Sequence, residues 1–280
     1  MSYAKDVLVD TDWVAHHLAD DAVRIVEVDE NPALYREAHV PGAIGFDWQA
    51  DLQDPVTRDF LGAEAFGALM GDRGICGDHT VVLYGDRNNW FAAYTYWYFL
   101  YYGHDKVKLM DGPREKWIAE GRETTAEAPS HPEATFITQQ GDCSIRAYRD
   151  QVRAALGKGT ALVDVRSPQE YSGESITAPG YEHEGAQRGG HIPGAASVPW
   201  SKAVNEDGTF KSAEDLRELY VEQGVLDGER PVIAYCRIGE RSAHTWFVLH
   251  ELLGKDDVKN YDGSWTEWGN LVGVPIETGV

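Results

Sequence analysis

Sulfur and lysine are scarce in this 280-residue chain, and no stretch of it is apolar for long. Its three cysteines, at 76, 143 and 236, form no CxxC pair and no zinc-ligand spacing. That pattern points to a reducing, cytoplasmic setting, with Cys76 and Cys143 incidental to function. No basic, apolar leader opens the sequence, so no secretory signal is visible. The most aromatic run, Trp90 to Tyr102, is too short and too rich in tyrosine to span a bilayer. Lysine occurs 9 times against 16 arginines, 24 aspartates and 22 glutamates, and the formal charge is -21. Such a balance argues against nucleic acid and against anionic membrane as partners. The acidic, lysine-poor surface fits a protein from a high-salt organism, and equally an ordinary acidic cytosolic protein.

What is present is a repeated α/β pattern. Strands are expected at Val7–Val9, Arg24–Val28, Thr80–Tyr84 and Val107–Met110. Helices are expected around Asp12–Leu18, Glu64–Gly71, Trp90–Tyr102 and Pro113–Glu120. The second half repeats this order, with Thr160–Val165 matching Arg24–Val28. Gly190-His191-Ile192-Pro193-Gly194-Ala195 matches the loop around His39. From Tyr84 to Trp117 the first half aligns without a gap onto Tyr235 to Trp268, at an offset of 151. Shared pairs include Gly103/Gly254, Lys108/Lys259, Asp111/Asp262 and Gly112/Gly263. A match of that length means duplication of a whole domain. Alternating strands and helices imply two α/β domains, each a mainly parallel sheet flanked by helices. The polar, proline-bearing stretch from about Gly121 to Gly141 reads as an extended surface linker. The expected boundaries are 1–124, a linker at 125–141, and 142–280. The second half alone carries a polar insertion, Ser172 to Gln187, either an entrance loop or a plain excursion.

The chemistry concentrates in Pro231 to Gly254. A buried strand, Val232 to Tyr235, leads into Cys236-Arg237-Ile238-Gly239-Glu240-Arg241, and a helix follows with Ser242 as its expected N-cap. The thiol therefore sits at the carboxyl end of a strand and the amino end of a helix. Helix N–H groups, loop N–H groups and two arginines all favour thiolate, so a depressed Cys236 pKa is expected. In the first half the matching residue is Gly85, which carries no nucleophile. The first half thus has the scaffold without the chemistry, and is expected to serve packing.

With these residues in view, the chain resembles the tandem-domain rhodaneses, thiosulfate sulfurtransferases of the microbial two-domain type. Tyr35-x3-His39-Val40-Pro41-Gly42-Ala43 is similar to the family's N-terminal signature. Val258-x2-Tyr261-Asp262-Gly263-Ser264-Trp265-x-Glu267-Trp268 is similar to its C-terminal one. The resemblance implies that Cys236 takes the outer sulfur of thiosulfate as a persulfide, releases sulfite, and passes the sulfur to cyanide, a thiol or a protein thiol. It implies Arg241 as holder of the sulfonate end and Arg237 as added charge at the mouth. Backbone N–H groups of Ile238, Gly239, Glu240 and Ser242 would cradle the sulfur. It implies neither metal nor organic cofactor.

Two departures from the vertebrate type stand out. Glu170 occupies the place of a substrate-binding arginine there, and Ile238 that of a lysine. Arg166 is then either a substrate contact or half of a buried ion pair with Asp164 or Glu240. His39 and His191, recurring in both halves, read as structural hydrogen-bonders, and His244 as a satisfied histidine rather than a base. Three rivals remain: a mercaptopyruvate sulfurtransferase, a phosphatase or arsenate reductase, and a sulfur carrier or non-catalytic module. The mercaptopyruvate loop usually carries less charge than Arg237 and Arg241 supply. Phosphatase cradles need Cys-x5-Arg, one residue longer than Cys236-x4-Arg241.

Overall fold

The computed structural model describes residues 2–178, 180–182 and 185–279. Pro179, His183 and Glu184, within the insertion expected at 172–187, lie outside the described residues, as do the two chain ends. The chain forms two compact units, and neither is one continuous stretch. One comprises Val7–Asp142 with Val204–Phe210; the other comprises Met1–Asp6, Cys143–Ala203 and Lys211–Val280.

The first unit holds strands β1 (Leu8–Val9), β2 (Val23–Val28), β3 (Ile44–Phe46), β4 (Thr80–Tyr84) and β5 (Val107–Met110). They form one parallel sheet in the order β1-β5-β4-β2-β3. Helices cover it, and Val26, Val28, Val81, Val82 and Leu83 are fully buried, as expected of a sheet hidden on both faces. The helix Trp90–Tyr101 is buried along nearly its whole length. The stretch expected to be an extended surface linker runs along this unit. Thr125 pairs with His39 through reciprocal backbone bonds, and Phe136 is buried against Phe66 and Phe99.

The second unit holds β6 (Ala161–Asp164), β7 (Ala196–Ser197), β8 (Val232–Tyr235) and β9 (Val258–Tyr261), all parallel, in the order β7-β6-β8-β9. From β6 the chain goes out to β7 on one side and returns to β8 on the other. Strand order therefore reverses between β6 and β8. In open α/β sheets the crevice at that point, beyond the strand carboxyl ends, is where ligands bind. Asp164 and Tyr235 lie side by side at those ends, and Arg166 and Cys236 follow immediately. The first unit has the same reversal between β2 and β4, followed by Asp29 and Gly85.

The duplication extends to side chains. Tyr84 and Tyr235 both accept the N–H of the residue after the loop histidine, Val40 or Ile192. His39 stacks on Tyr35 at 3.9 Å and bonds its carbonyl oxygen. His191 does the same with Tyr171 at 3.6 Å. Both histidines thus pin a turn, which accounts for their appearance in the half that has Gly85 at the place of Cys236.

Candidate active site

The loop after β8 is shaped by its glycine. Gly239 has φ +105°, and a Cβ there would meet Asp262 Cα at 2.7 Å, so no other residue fits. Gly239 is also the helix cap. The helix runs Glu240–Trp246 and passes into a wider turn at Phe247–Leu252. Ser242, expected as N-cap, lies inside the first turn instead. Its hydroxyl donates to Asn260 Oδ1 on β9 at 2.6 Å, and Asn260 Nδ2 donates to the Gly239 carbonyl at 3.0 Å. The segment after β9 braces the other side. Cys236 N–H donates to Ser264 Oγ at 3.0 Å, and Thr266 bonds the Arg237 carbonyl through both its N–H and its hydroxyl. Ser264 holds φ +53°, a strained value for a residue with a side chain. The signature Tyr261-Asp262-Gly263-Ser264-Trp265 is thus the support of the cysteine loop.

The Cys236 side chain is fully buried. The Gly239 N–H donates to its sulfur at 3.1 Å, and the thiol donates to Glu240 Oε2 at 3.1 Å. Glu240, also fully buried, accepts the Ile238 N–H on that same oxygen at 3.2 Å and Arg237 Nη2 on Oε1 at 3.2 Å. Arg241 Nε lies 3.6 Å from Oε1 and makes no hydrogen bond. The terminal nitrogens of Arg241 clasp Glu170, at 3.0 and 3.1 Å. Arg237 also lies under the ring of Tyr181, in the insertion, 3.7 Å from its centroid.

The expected depression of the Cys236 pKa is corrected by this arrangement. The loop is not net positive, because Arg237 is paired with Glu240 and Arg241 with Glu170. The thiol pKa is raised rather than depressed: burial is the main cause, the Glu240 carboxylate adds to it, and Arg241 opposes both. Burial also works against ionisation of Glu240, yet Arg237 and Arg241 prevail and hold that carboxyl below its ordinary range. Glu170, for the same reason beside Arg241, falls to about 2. At rest the site is a thiol donating to a carboxylate.

The other expected residues fall as follows. Arg166 is buried with Asp164, its Nε and Nη2 within 2.5 to 3.1 Å of the carboxylate, and Nη2 also donates to the Gly190 carbonyl at 2.7 Å. Its guanidinium lies over Trp265, 4.5 Å from the ring. His244 is buried edge-on to Trp200, and burial lowers its pKa to about 3, so it stays neutral. Gly85, at the place of Cys236, has no room for a side chain, because a Cβ would collide with the Val28 carbonyl oxygen. Sequence reasoning missed the side-chain parts of Glu240, Glu170 and Tyr181. An acid four residues after the cysteine, and another where an arginine was expected, were the available signals.

Two fused parallel α/β repeats with a cysteine loop at the strand-order reversal of the second define a class. The rhodanese-like domain model matches residues 10–120 and again 148–271. The chain belongs to that family, as a tandem pair, and so among sulfurtransferases. A Haloferax volcanii protein named "Putative thiosulfate sulfurtransferase" is 58% identical over 99% of this chain and 98% of its own. "Sulfur carrier protein TtuD" of Thermus thermophilus is 58% identical over 100% of this chain and 99% of its own. Among solved structures, wild-type EanB superposes with TM-score 0.83 at 25% identity, covering 98% of this chain and 69% of that one. SseA of Escherichia coli, from work on 3-mercaptopyruvate sulfotransferases, superposes with TM-score 0.79 at 24% identity over 92% and 98% of the two chains. That last likeness speaks for the fold alone. Among the described residues no helix is long and apolar enough to cross a membrane.

Proposed function

We propose that the protein is a thiosulfate sulfurtransferase whose chemistry resides in residues 142–280, with 1–124 an inactive repeat and 125–141 the join. Cys236 attacks the outer sulfur of thiosulfate. An Sγ–S bond forms, the S–S bond of thiosulfate breaks, and sulfite leaves with the electron pair. The persulfide then gives its outer sulfur to cyanide or a thiol, and Sγ recovers its electron pair. Arg241 and Arg237 attract the donor, and the N–H groups of Ile238, Gly239, Glu240 and Ser242 receive the sulfur. Arg166, shared between Asp164 and the Gly190 carbonyl, holds the edge of the site.

The observation that carries this reading is the Gly239 N–H aimed at Sγ of Cys236, 3.1 Å away, at the sheet's strand-order reversal. The names of full-length relatives at 56 to 58% identity support the donor. Persulfide chemistry is supported by an EanB structure, 25% identical, with ergothioneine covalently linked with a persulfide cysteine. A protein thiol as final acceptor is favoured by the relative named as a sulfur carrier. The three cysteines are unpaired, in keeping with a reducing, cytoplasmic setting.

Intact mass spectrometry after thiosulfate treatment tests the proposal. One added sulfur atom is expected on the peptide bearing Cys236, lost again on addition of cyanide, and absent from Cys236→Ser. No added sulfur on the wild-type protein would end the reading. Added sulfur from mercaptopyruvate but not from thiosulfate would move the assignment to the sister activity.

A further inference from the structure

The anion cradle already holds an anion, and it belongs to the loop itself. The Glu240 carboxylate takes the Ile238 N–H, Arg237 Nη2 and the Cys236 thiol, with Arg241 Nε 3.6 Å away. These are the donors that a sulfane anion would require. We propose that Glu240 is a resident anion of the active loop, which keeps Cys236 as a thiol at rest and sets which donors can enter. The inference rests on the sulfur-transfer reading above and assigns this side chain a part in it.

Charge is exchanged in the step. The thiol proton passes to the Glu240 carboxylate that already accepts its hydrogen bond. The thiolate attacks the outer sulfur, Sγ–S forms, S–S breaks, and sulfite leaves with the electron pair. Glu240, now a neutral acid, gives up Arg237 and the Ile238 N–H to the persulfide anion. When a nucleophile removes the outer sulfur, Sγ becomes a thiolate and takes the proton back. The Cys236–Glu240 pair thus carries one negative charge before and after loading. A dianion such as thiosulfate gains by replacing a monoanionic carboxylate on these donors. A monocarboxylate donor such as mercaptopyruvate exchanges like for like. Glu240 is therefore a specificity residue as well as a brake on the thiol.

The charged and titratable groups around the pair come from every neighbouring element. Arg237 and Arg241 share the loop and helix, and His244 lies one turn on. Glu170 reaches in from the helix Pro168–Ser172, with Asp164 and Arg166 at the end of β6. Tyr181 covers Arg237, and Asp262, held by Arg146, adjoins Gly239 after β9. Of these only Glu240 bonds the sulfur as an anion.

The test compares wild type with Glu240→Gln, which keeps size and one acceptor oxygen but removes the charge. Alkylation of Cys236 by iodoacetamide, followed by mass against pH, reads thiol ionisation without any sulfur donor. Removing a like charge at this distance is expected to lower the apparent pKa by about one unit and speed alkylation at pH 7 about tenfold. Glu240→Asp, whose carboxylate is drawn back from the sulfur, should fall between. Should the glutamine variant not fold, by circular dichroism, the aspartate variant decides by the same sign. An apparent pKa unchanged or raised in the folded variant overturns the proposal, since a mere brace of the loop would not lower it. In the second arm, sulfur loading from thiosulfate and from mercaptopyruvate is timed separately. The preference for thiosulfate should shrink severalfold in Glu240→Gln, and an unchanged ratio refutes the specificity role. Failure of the wild-type protein to gain sulfur would strike the functional reading, while the alkylation arm still judges Glu240.

Discussion

Asp29 is a buried acid with little to neutralise it, and replacing it with asparagine should stabilise the protein at neutral pH. It follows β2 in the first unit, is 1% exposed, and lies beside Glu27 at the strand's end. Burial, then the charge of Glu27, raises its pKa from 3.8 to about 9. Asp86, which shares this crevice and donates its N–H to Asp29 Oδ1 at 2.8 Å, is raised to about 7, chiefly by burial. The sole cation bonded to either member of the Glu27–Asp29 pair, among the described contacts, is Arg114, on Glu27 at 3.2 Å. The sign follows from proton uptake. The folded chain holds a proton on the pair that the unfolded chain has released above its ordinary pKa. The stability tied to that proton is complete below pH 3.8 and declines as pH rises toward 9. At 1.36 kcal/mol per pH unit, the loss between pH 4 and pH 7 comes to about 4 kcal/mol. Asparagine keeps the bond from Asp86 N–H and can donate to Glu27, but carries no charge to bury. Urea unfolding of Asp29→Asn and wild type at pH 5, 6, 7 and 8 should show a gap in favour of the variant. It should widen by about 1.4 kcal/mol per unit. A gap of constant size across that range would mean that Asp29 is ionised in the fold, and the reasoning would fall.

Two further outcomes can be measured alongside. Glu170→Gln leaves Arg241 without its partner, and the carboxyl's fall from 4.5 to about 2 sets the cost at about 3 kcal/mol at pH 7. Because that pKa is depressed, the stability is present above pH 4.5 and lost as pH falls toward 2. Urea midpoints of the two proteins should converge as pH falls below about 2, and a gap that does not narrow between pH 4.5 and there contradicts the ion-pair account. Gly85→Ala should destabilise the first unit by about 1 to 3 kcal/mol, since its methyl group meets the Val28 carbonyl. A melting temperature equal to wild type would show that the crevice has room after all.

The fold was legible because its signals are local. Continuous apolar runs marked β4 and β8, and an unbroken 34-residue alignment between the halves fixed the duplication. The place of the cysteine loop was legible too, since Cys236 follows a buried strand and precedes a glycine and a helix. What could not be read was the sign of its electrostatics. Counting arginines near a cysteine predicts a low pKa, but the count omits what each arginine bonds. Glu170 is 71 residues from Arg241, and its bidentate grip on that side chain exists only once the helix Pro168–Ser172 is packed beside the loop. Burial of the sulfur is likewise a property of the assembled layers. Ser242 was misread as a cap because serine has the right chemistry for one. The positive φ that only Gly239 can hold moved the helix start three residues earlier.

The two halves together decide how Arg166 is best understood. Aligning β6 on β2 sets Asp164 against Glu27 and Arg166 against Asp29, so the first unit has an acid where the second has its arginine. Yet a guanidinium occupies the same setting in both. Arg166 joins Asp164 to the carbonyl of Gly190, the residue before His191. Arg114, from a different part of the chain, joins Glu27 to the carbonyl of Ala38, the residue before His39. In each unit an acid at a strand end, a tyrosine at the neighbouring strand end, and a histidine turn are bound through one arginine. The first unit does this with Gly85 where the second has Cys236. A contact rebuilt from another residue, in the half where Gly85 has no room for a side chain, is explained by the need to tie the histidine turn to the sheet. That need accounts for Arg166 as a brace, and in the function proposed above the selection of an anion falls to Arg237, Arg241 and the carboxylate between them.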